Sequence, residues 1–135
     1  MQHLQLNLWI VLAAGIAKFM IGGLWYSPVL FAKEWTKLTG MRESSMKKGQ
    51  GKAMAIEFGL GILMAFVLAH AIRYSGAQGI GEGLVCAFWN WLGFVAAFGF
   101  TSVNFEKKPL KLFYINQGFQ LLTMLVMGAI LVLWV

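Results

Sequence analysis

Apolar residues run along this chain in four long blocks, about Leu4 to Tyr26, Ala53 to Tyr74, Glu82 to Asn104 and Leu112 to Val135. Each block is close to the roughly 20 residues a helix needs to cross about 30 Å of hydrocarbon. None alternates with period two, as a membrane barrel strand must. A helix also satisfies every backbone N–H and C=O within its own segment. The pattern predicts an all-α integral membrane protein, a single four-helix transmembrane domain over residues 1–135. The first block follows no basic residue, exceeds the length of a signal-peptide core and is itself followed by the basic residues, so it is expected to stay as an uncleaved span.

The polar stretch from 27 to 52 has a pattern of its own. Phe31, Trp35 and Leu38 recur at helical spacing opposite Lys33 and Lys37. Ser27 as cap, Pro28 at the first helical position and Gly40 as terminator would delimit a short helix. It is too short to span and amphipathic, so it is expected to lie in the headgroup plane.

Composition changes the picture in one respect. Charged residues are 12% and apolar ones 59% of the 135 residues, yet the net charge is +6. That excludes a soluble basic domain and a disordered chain, while the lone Cys86 cannot close an internal disulfide. Six basic residues, Lys33, Lys37, Arg42, Lys47, Lys48 and Lys52, fall in the first loop, and Lys107, Lys108 and Lys111 in the third. The second loop has only Arg73 at its margin. By the positive-inside rule the first and third loops are cytoplasmic and both termini lie outside. Trp9, Tyr74 and Trp134 then form an outer aromatic belt, and Trp25, Tyr26, Trp35 and Tyr114 an inner one. Lys33, Lys37, Lys47, Lys48 and Lys52 are the expected contacts to anionic lipid headgroups. No nucleic-acid role is expected, because no stacking aromatics interleave with these lysines.

The stretch Gly22-Gly23-Leu24-Trp25-Tyr26-Ser27-Pro28, with Leu30-Phe31, Trp35, Leu38-Thr39-Gly40-Met41 and Met46-Lys47-Lys48-Gly49, resembles a family of small bacterial four-span membrane proteins known only as a domain of unknown function. Phe88-Trp89-Asn90-Trp91-Leu92-Gly93-Phe94-Val95 and Pro109-Leu110-Lys111-Leu112-Phe113-Tyr114-Ile115-Asn116 resemble it as well. The resemblance implies four helices in a bacterial inner membrane. It supplies no catalytic or binding residue.

Ionisable groups within a bilayer are functional candidates by default. Lys18 falls about three residues past the centre of its block, roughly 5 Å to the cytoplasmic side of the midplane at 1.5 Å per residue. Glu57 enters the second block about one turn from its cytoplasmic end, within reach of a lysine stem of ~6 Å. Three readings of the two charges stay open: an ion pair fixing the first two helices, a pair lining a solute or proton path, or independent snorkelling. Asn7, Val11, Gly15, Lys18, Gly22 and Trp25 share one face of the first block, and Met54, Glu57, Gly61, Met64 and Leu68 one face of the second. Small residues permit close approach of helices, so both charges are expected against protein.

The third block places Asn90, Gly93, Ala97, Thr101 and Asn104 on one face, and the fourth Asn116, Gln120 and Thr123. These groups need partners or water, as glue between helices or as the lining of a wet cavity. Gln117 lies off the stripe and predicts contact on two sides of the last helix. The candidate polar site is therefore Lys18, Glu57, Asn90, Asn116 and Gln120, and more polar stripe than four helices can bury predicts a homo-oligomer.

Weaker patterns point nowhere specific. His3, His70 and Glu82 lack the i, i+4 spacing of a helical metal site, and Cys86 has no basic neighbour to activate it. The glycines from 76 to 83 suit a turn, with no preceding strand to make a phosphate loop. Trp89 and Trp91 point to opposite faces around Asn90, as packing aromatics or the walls of a quinone or lipid slot. No catalytic residue, metal or cofactor is expected. The function classes that remain are a homo-oligomeric small-solute or ion permeation protein, a structural or accessory subunit of a larger membrane complex, and, third, an enzyme acting on lipid-like substrates.

Overall fold

A computed structural model describes residues 6–40 and 49–134. Every regular element among them is helical: α1 (Leu8–Trp25), α2 (Ala32–Thr39), α3 (Gln50–Ser75), α4 (Gly79–Asn90), a π-helical segment (Trp91–Ala96), α5 (Ala97–Gly99), α6 (Thr101–Asn104) and α7 (Leu110–Trp134). α1, α3, α7 and the continuous stretch Gly79–Asn104 are each long and apolar enough to cross a membrane. The chain is an all-α, four-span membrane protein.

The sequence sets the helix ends through familiar devices. Asn7 caps α1, its Oδ1 accepting the Trp9 N–H at 3.1 Å. Gly40 and Gly76 close α2 and α3 at φ of 71° and 73°, a left-handed conformation that glycine adopts without a Cβ clash. α2 begins later than its cap signals predict. The Ser27 hydroxyl turns back to the Leu24 carbonyl at 2.6 Å and does not cap forward. The chain from 27 to 31 is instead a turn held by Phe31 N–H to Trp25 O, so the first helical residue is Ala32 and not Pro28.

α7 is the hub and touches all three other spans. Against the third span it packs glycine to glycine: a Cβ on Gly83 would lie 2.9 Å from the Gly128 carbonyl oxygen, and one on Gly128 would lie 2.9 Å from Ala87 Cβ. α1 and α3 approach through Gly15, where a Cβ would meet Ile62 Cγ1 at 2.8 Å. The apolar core, including Val11, Leu68, Ile72, Met127 and Leu131, fills the end of the bundle nearest the Ser75–Gly79 turn.

The π-helical segment corrects the expected face of the third span. Gly83, Ala87 and Trp91 follow α-helical steps of four, and the next buried residue is Ala96, five on. An i to i+5 turn adds a residue to that turn of the helix and so rotates everything beyond it. Phe94 and Phe98 swing out to 77% and 78% exposure, and Gly99 swings in against Gln117. Gly93, Ala97, Thr101 and Asn104, expected to face protein with Asn90, are exposed on the single chain.

α2 lies at the bundle end opposite that turn, beside the start of α7. Phe31, Trp35 and Leu38 are half-buried while Lys33 and Lys37 are exposed, as the amphipathic pattern requires. Lys52, in the first turn of α3, is exposed too; Lys47, Lys48, Arg42 and His3 lie outside the described residues. Lys111 of α7 donates to Glu34 of α2 at 2.8 Å, which ties the first and third loops together at one end.

That hydrogen bond and the charge of Lys111, with a smaller push from Lys37, hold the Glu34 carboxyl below its ordinary range. A depressed folded-state value makes the contribution complete above the ordinary glutamate pKa and lost as pH falls through the lowered one. Docking of α2 should therefore loosen in acid. A spin label at Lys33→Cys, in a Cys86→Ala background, should become more mobile over that range, and Lys111→Gln should remove the pH dependence.

Candidate functional site: a lysine buried between α1 and α7

Lys18 is 5% exposed, the most buried charge among the described residues. Gly61 of α3 makes room for it: a Cβ there would lie 3.4 Å from Lys18 Cδ. The stem so accommodated delivers the ammonium to α7, where it donates to Gln120 Oε1 at 2.8 Å and to Thr123 Oγ1 at 3.3 Å. It also stands 4.4 Å from the centroid of the Phe119 ring, a cation–π distance. The Thr123 hydroxyl spends its proton on the Gln120 carbonyl at 3.2 Å, which leaves its lone pairs for the lysine.

The expected partnership with Glu57 is not formed within the chain. The single ion pair among the described residues is Lys111 with Glu34, and Glu57 is exposed near the start of α3. Antiparallel packing of α1 on α3 sets Lys18 beside Gly61, one turn deeper than Glu57, and the neutral acceptors of α7 at that depth take the ammonium.

Asn116 joins the neighbourhood through a different residue, its Oδ1 accepting from the Tyr26 hydroxyl at 2.8 Å. The Trp25 indole donates to the Ile115 carbonyl at 3.0 Å, and both rings contact Phe119, Trp25 tilted at 6.3 Å and Tyr26 edge-on at 5.2 Å. Phe31 and Trp35 contact Trp25 and Tyr26 in turn, the first pair tilted at 4.7 Å and the second edge-on at 6.0 Å. A continuous run of rings thus joins the interfacial helix to the residue that faces the lysine. Trp25 and Tyr26, expected in the inner lipid belt, are partly buried in this cluster.

Asn90 stands apart from these groups. Its Nδ2 donates to the Cys86 carbonyl of its own helix at 2.8 Å. Gln117 is wedged where a Cβ on Gly99 would overlap it, its Oε1 is buried without a hydrogen bond, and its backbone carbonyl accepts the Trp91 indole at 3.0 Å. α7 is contacted on two sides, as its off-stripe glutamine predicts. His70 is turned to the Phe66 carbonyl at 2.8 Å, and no three potential ligands cluster among the described residues.

Phe119 and Thr123 complete the lysine site beyond the residues expected in it. Thr123 was legible from its position three after Gln120. Phe119 carried no signal, being one more aromatic in an apolar run.

A sequence profile described as "Protein of unknown function (DUF1761)" matches residues 9–132. The chain belongs to the DUF1761 family. The match reaches into all four spans. No curated protein and no solved structure matches the chain.

Proposed function

We propose that this DUF1761 protein is a small-solute or ion permeation protein that acts as a homo-oligomer, with Lys18 as the charged group of its path. The supporting observation is the ammonium itself. It lies within a membrane-spanning helix at 5% exposure, and the hydrogen-bond and ring partners that hold it are neutral. Intramembrane charges are expensive to keep. Held by Gln120, Thr123 and a ring face, this one can exchange an acceptor for a passing anion or water without breaking an ion pair. Self-association is supported by the third span, where only 17% of the most apolar window is buried and Gly93, Ala97, Thr101 and Asn104 face outward. The bacterial inner membrane, with both termini outside and Lys33, Lys37, Lys47, Lys48 and Lys52 on anionic headgroups, is the setting that fits the basic-residue count.

Chloride and proton flux into vesicles of anionic lipid tests the proposal. Wild-type protein should carry one of them above protein-free vesicles, and Lys18→Met, shown to be folded and assembled, should abolish it. A Lys18→Met protein with full flux would exclude Lys18 from the path.

A structural or accessory subunit is the second reading. It is favoured by the glycine-to-glycine contact of Gly83 and Gly128, which packs the third and fourth spans closely together. A stoichiometric larger complex recovered from native membranes, with no flux from the isolated protein, would establish that reading.

A further inference from the structure

The bundle end that carries the Ser75–Gly79 turn contains a groove of about 580 Å³ that the lysine site does not use. Ser75 and Gly76 close its top, and Glu82, Cys86, Trp89 and Asn90 of α4 form its wall. Glu82 is the one charged residue among its described lining residues, in a chain of net charge +6. One Glu82 oxygen accepts the Gln78 N–H, and a carboxylate has further lone pairs to offer. Asn90 adds a second acceptor, since its Nδ2 is spent on Cys86 and no donor among the described residues reaches its Oδ1. Below Glu82 the wall turns apolar and open. Val85 is 55% and Trp89 61% exposed, and seven residues of helix set Trp89 about 10 Å deeper than Glu82.

We propose that this groove binds an amphipathic ammonium compound, its cationic head on the Glu82 carboxylate and its alkyl chain along Val85 and Trp89. Charge and shape both select it. A carboxylate forms its strongest hydrogen bonds to a cationic donor, an anionic head would be repelled, and the exposed indole and valine offer a surface only to an apolar tail. The groove sits at the polar boundary of the spans and runs toward their apolar middle, the same polarity as its ligand. An amine-headed membrane lipid and a free long-chain amine share this chemistry.

Cys86 lines the groove and is the only cysteine, which gives the native chain a built-in reporter. The full-length protein in maltoside micelles would be alkylated at Cys86 with a maleimide. Dodecylammonium at about ten times its half-saturating concentration should slow the reaction about tenfold, as occupancy of one site requires. Dodecanol and dodecanoate should not. Glu82→Gln keeps an oxygen for Gln78 N–H but loses the charge, and should abolish the slowing, while Trp89→Ala should weaken it. Nanodiscs of phosphatidylglycerol with and without phosphatidylethanolamine separate the two sources: protection by phosphatidylethanolamine identifies the lipid headgroup, and protection by dodecylammonium alone identifies a free amine. Equal protection by dodecanol, or protection undiminished in Glu82→Gln, would overturn the proposal. None of these readouts involves flux, so the groove and the Lys18 path stand or fall separately.

Discussion

Replacing Gln120 by leucine should destabilise the protein more than replacing Glu57 by glutamine, by about 2–3 kcal/mol, because Gln120 supplies the shortest hydrogen bond to a buried ammonium. The lysine stem lies against Gly61, where Gly15 brings α1 close to α3, and it cannot follow a lost acceptor to water without disturbing the α1–α3 contact. A buried charge deprived of its acceptor is the costly species, more than the pair itself. Combining Lys18→Met with Gln120→Leu should therefore recover much of the loss, while Lys18→Met with Glu57→Gln should be additive. Thermal unfolding in mild detergent, read over both cycles, decides the matter. Strong coupling in the Glu57 cycle with none in the Gln120 cycle would show that the lysine pairs with the glutamate in the assembled protein.

Gly83→Ala should cost about 1–3 kcal/mol, the range for overpacking a filled contact. A Cβ at Gly83 falls 2.6 Å from Val132 Cγ1 and 2.9 Å from the Gly128 carbonyl oxygen, and the second of these is backbone that cannot rotate away. Either α4 and α7 separate along their length or the helix axis tilts. Gly59→Ala in α3 should have the opposite sign. Nothing lies within 4 Å of a Cβ there, and replacing a helical glycine by alanine in open space gains roughly 0.5–1 kcal/mol. Parallel melting curves of the two variants test whether the third and fourth spans are held by glycine contact. Equal and small effects would mean that the interface has slack.

The sequence by itself determined what depends on local composition and period. Four apolar blocks of bilayer length, none alternating with the period of two that a barrel strand needs, specify four helices, each satisfying its backbone within its own segment. The face with Gly15 and Lys18 and the face with Asn116, Gln120 and Thr123 were legible because an uninterrupted α-helix keeps residues three and four apart on one side. Gly40 announced the end of α2 by the conformation that only glycine takes easily.

What only the tertiary structure decided is how those faces meet. Lys18 and Glu57 have compatible charges and neighbouring depths, yet the ammonium goes to α7, because helix order in space sets which acceptors stand at its level. The third span is the sharper case. One extra residue in the turn from Trp91 to Ala96 rotates the rest of that helix, so a stripe drawn at constant period from Asn90 to Asn104 leaves the protein interior halfway along. The residue spacing in the sequence is unchanged by that turn. The rotated stretch brings Trp91 and Gly99 against Gln117 on α7, a contact between residues 26 and 18 positions apart that no local pattern encodes.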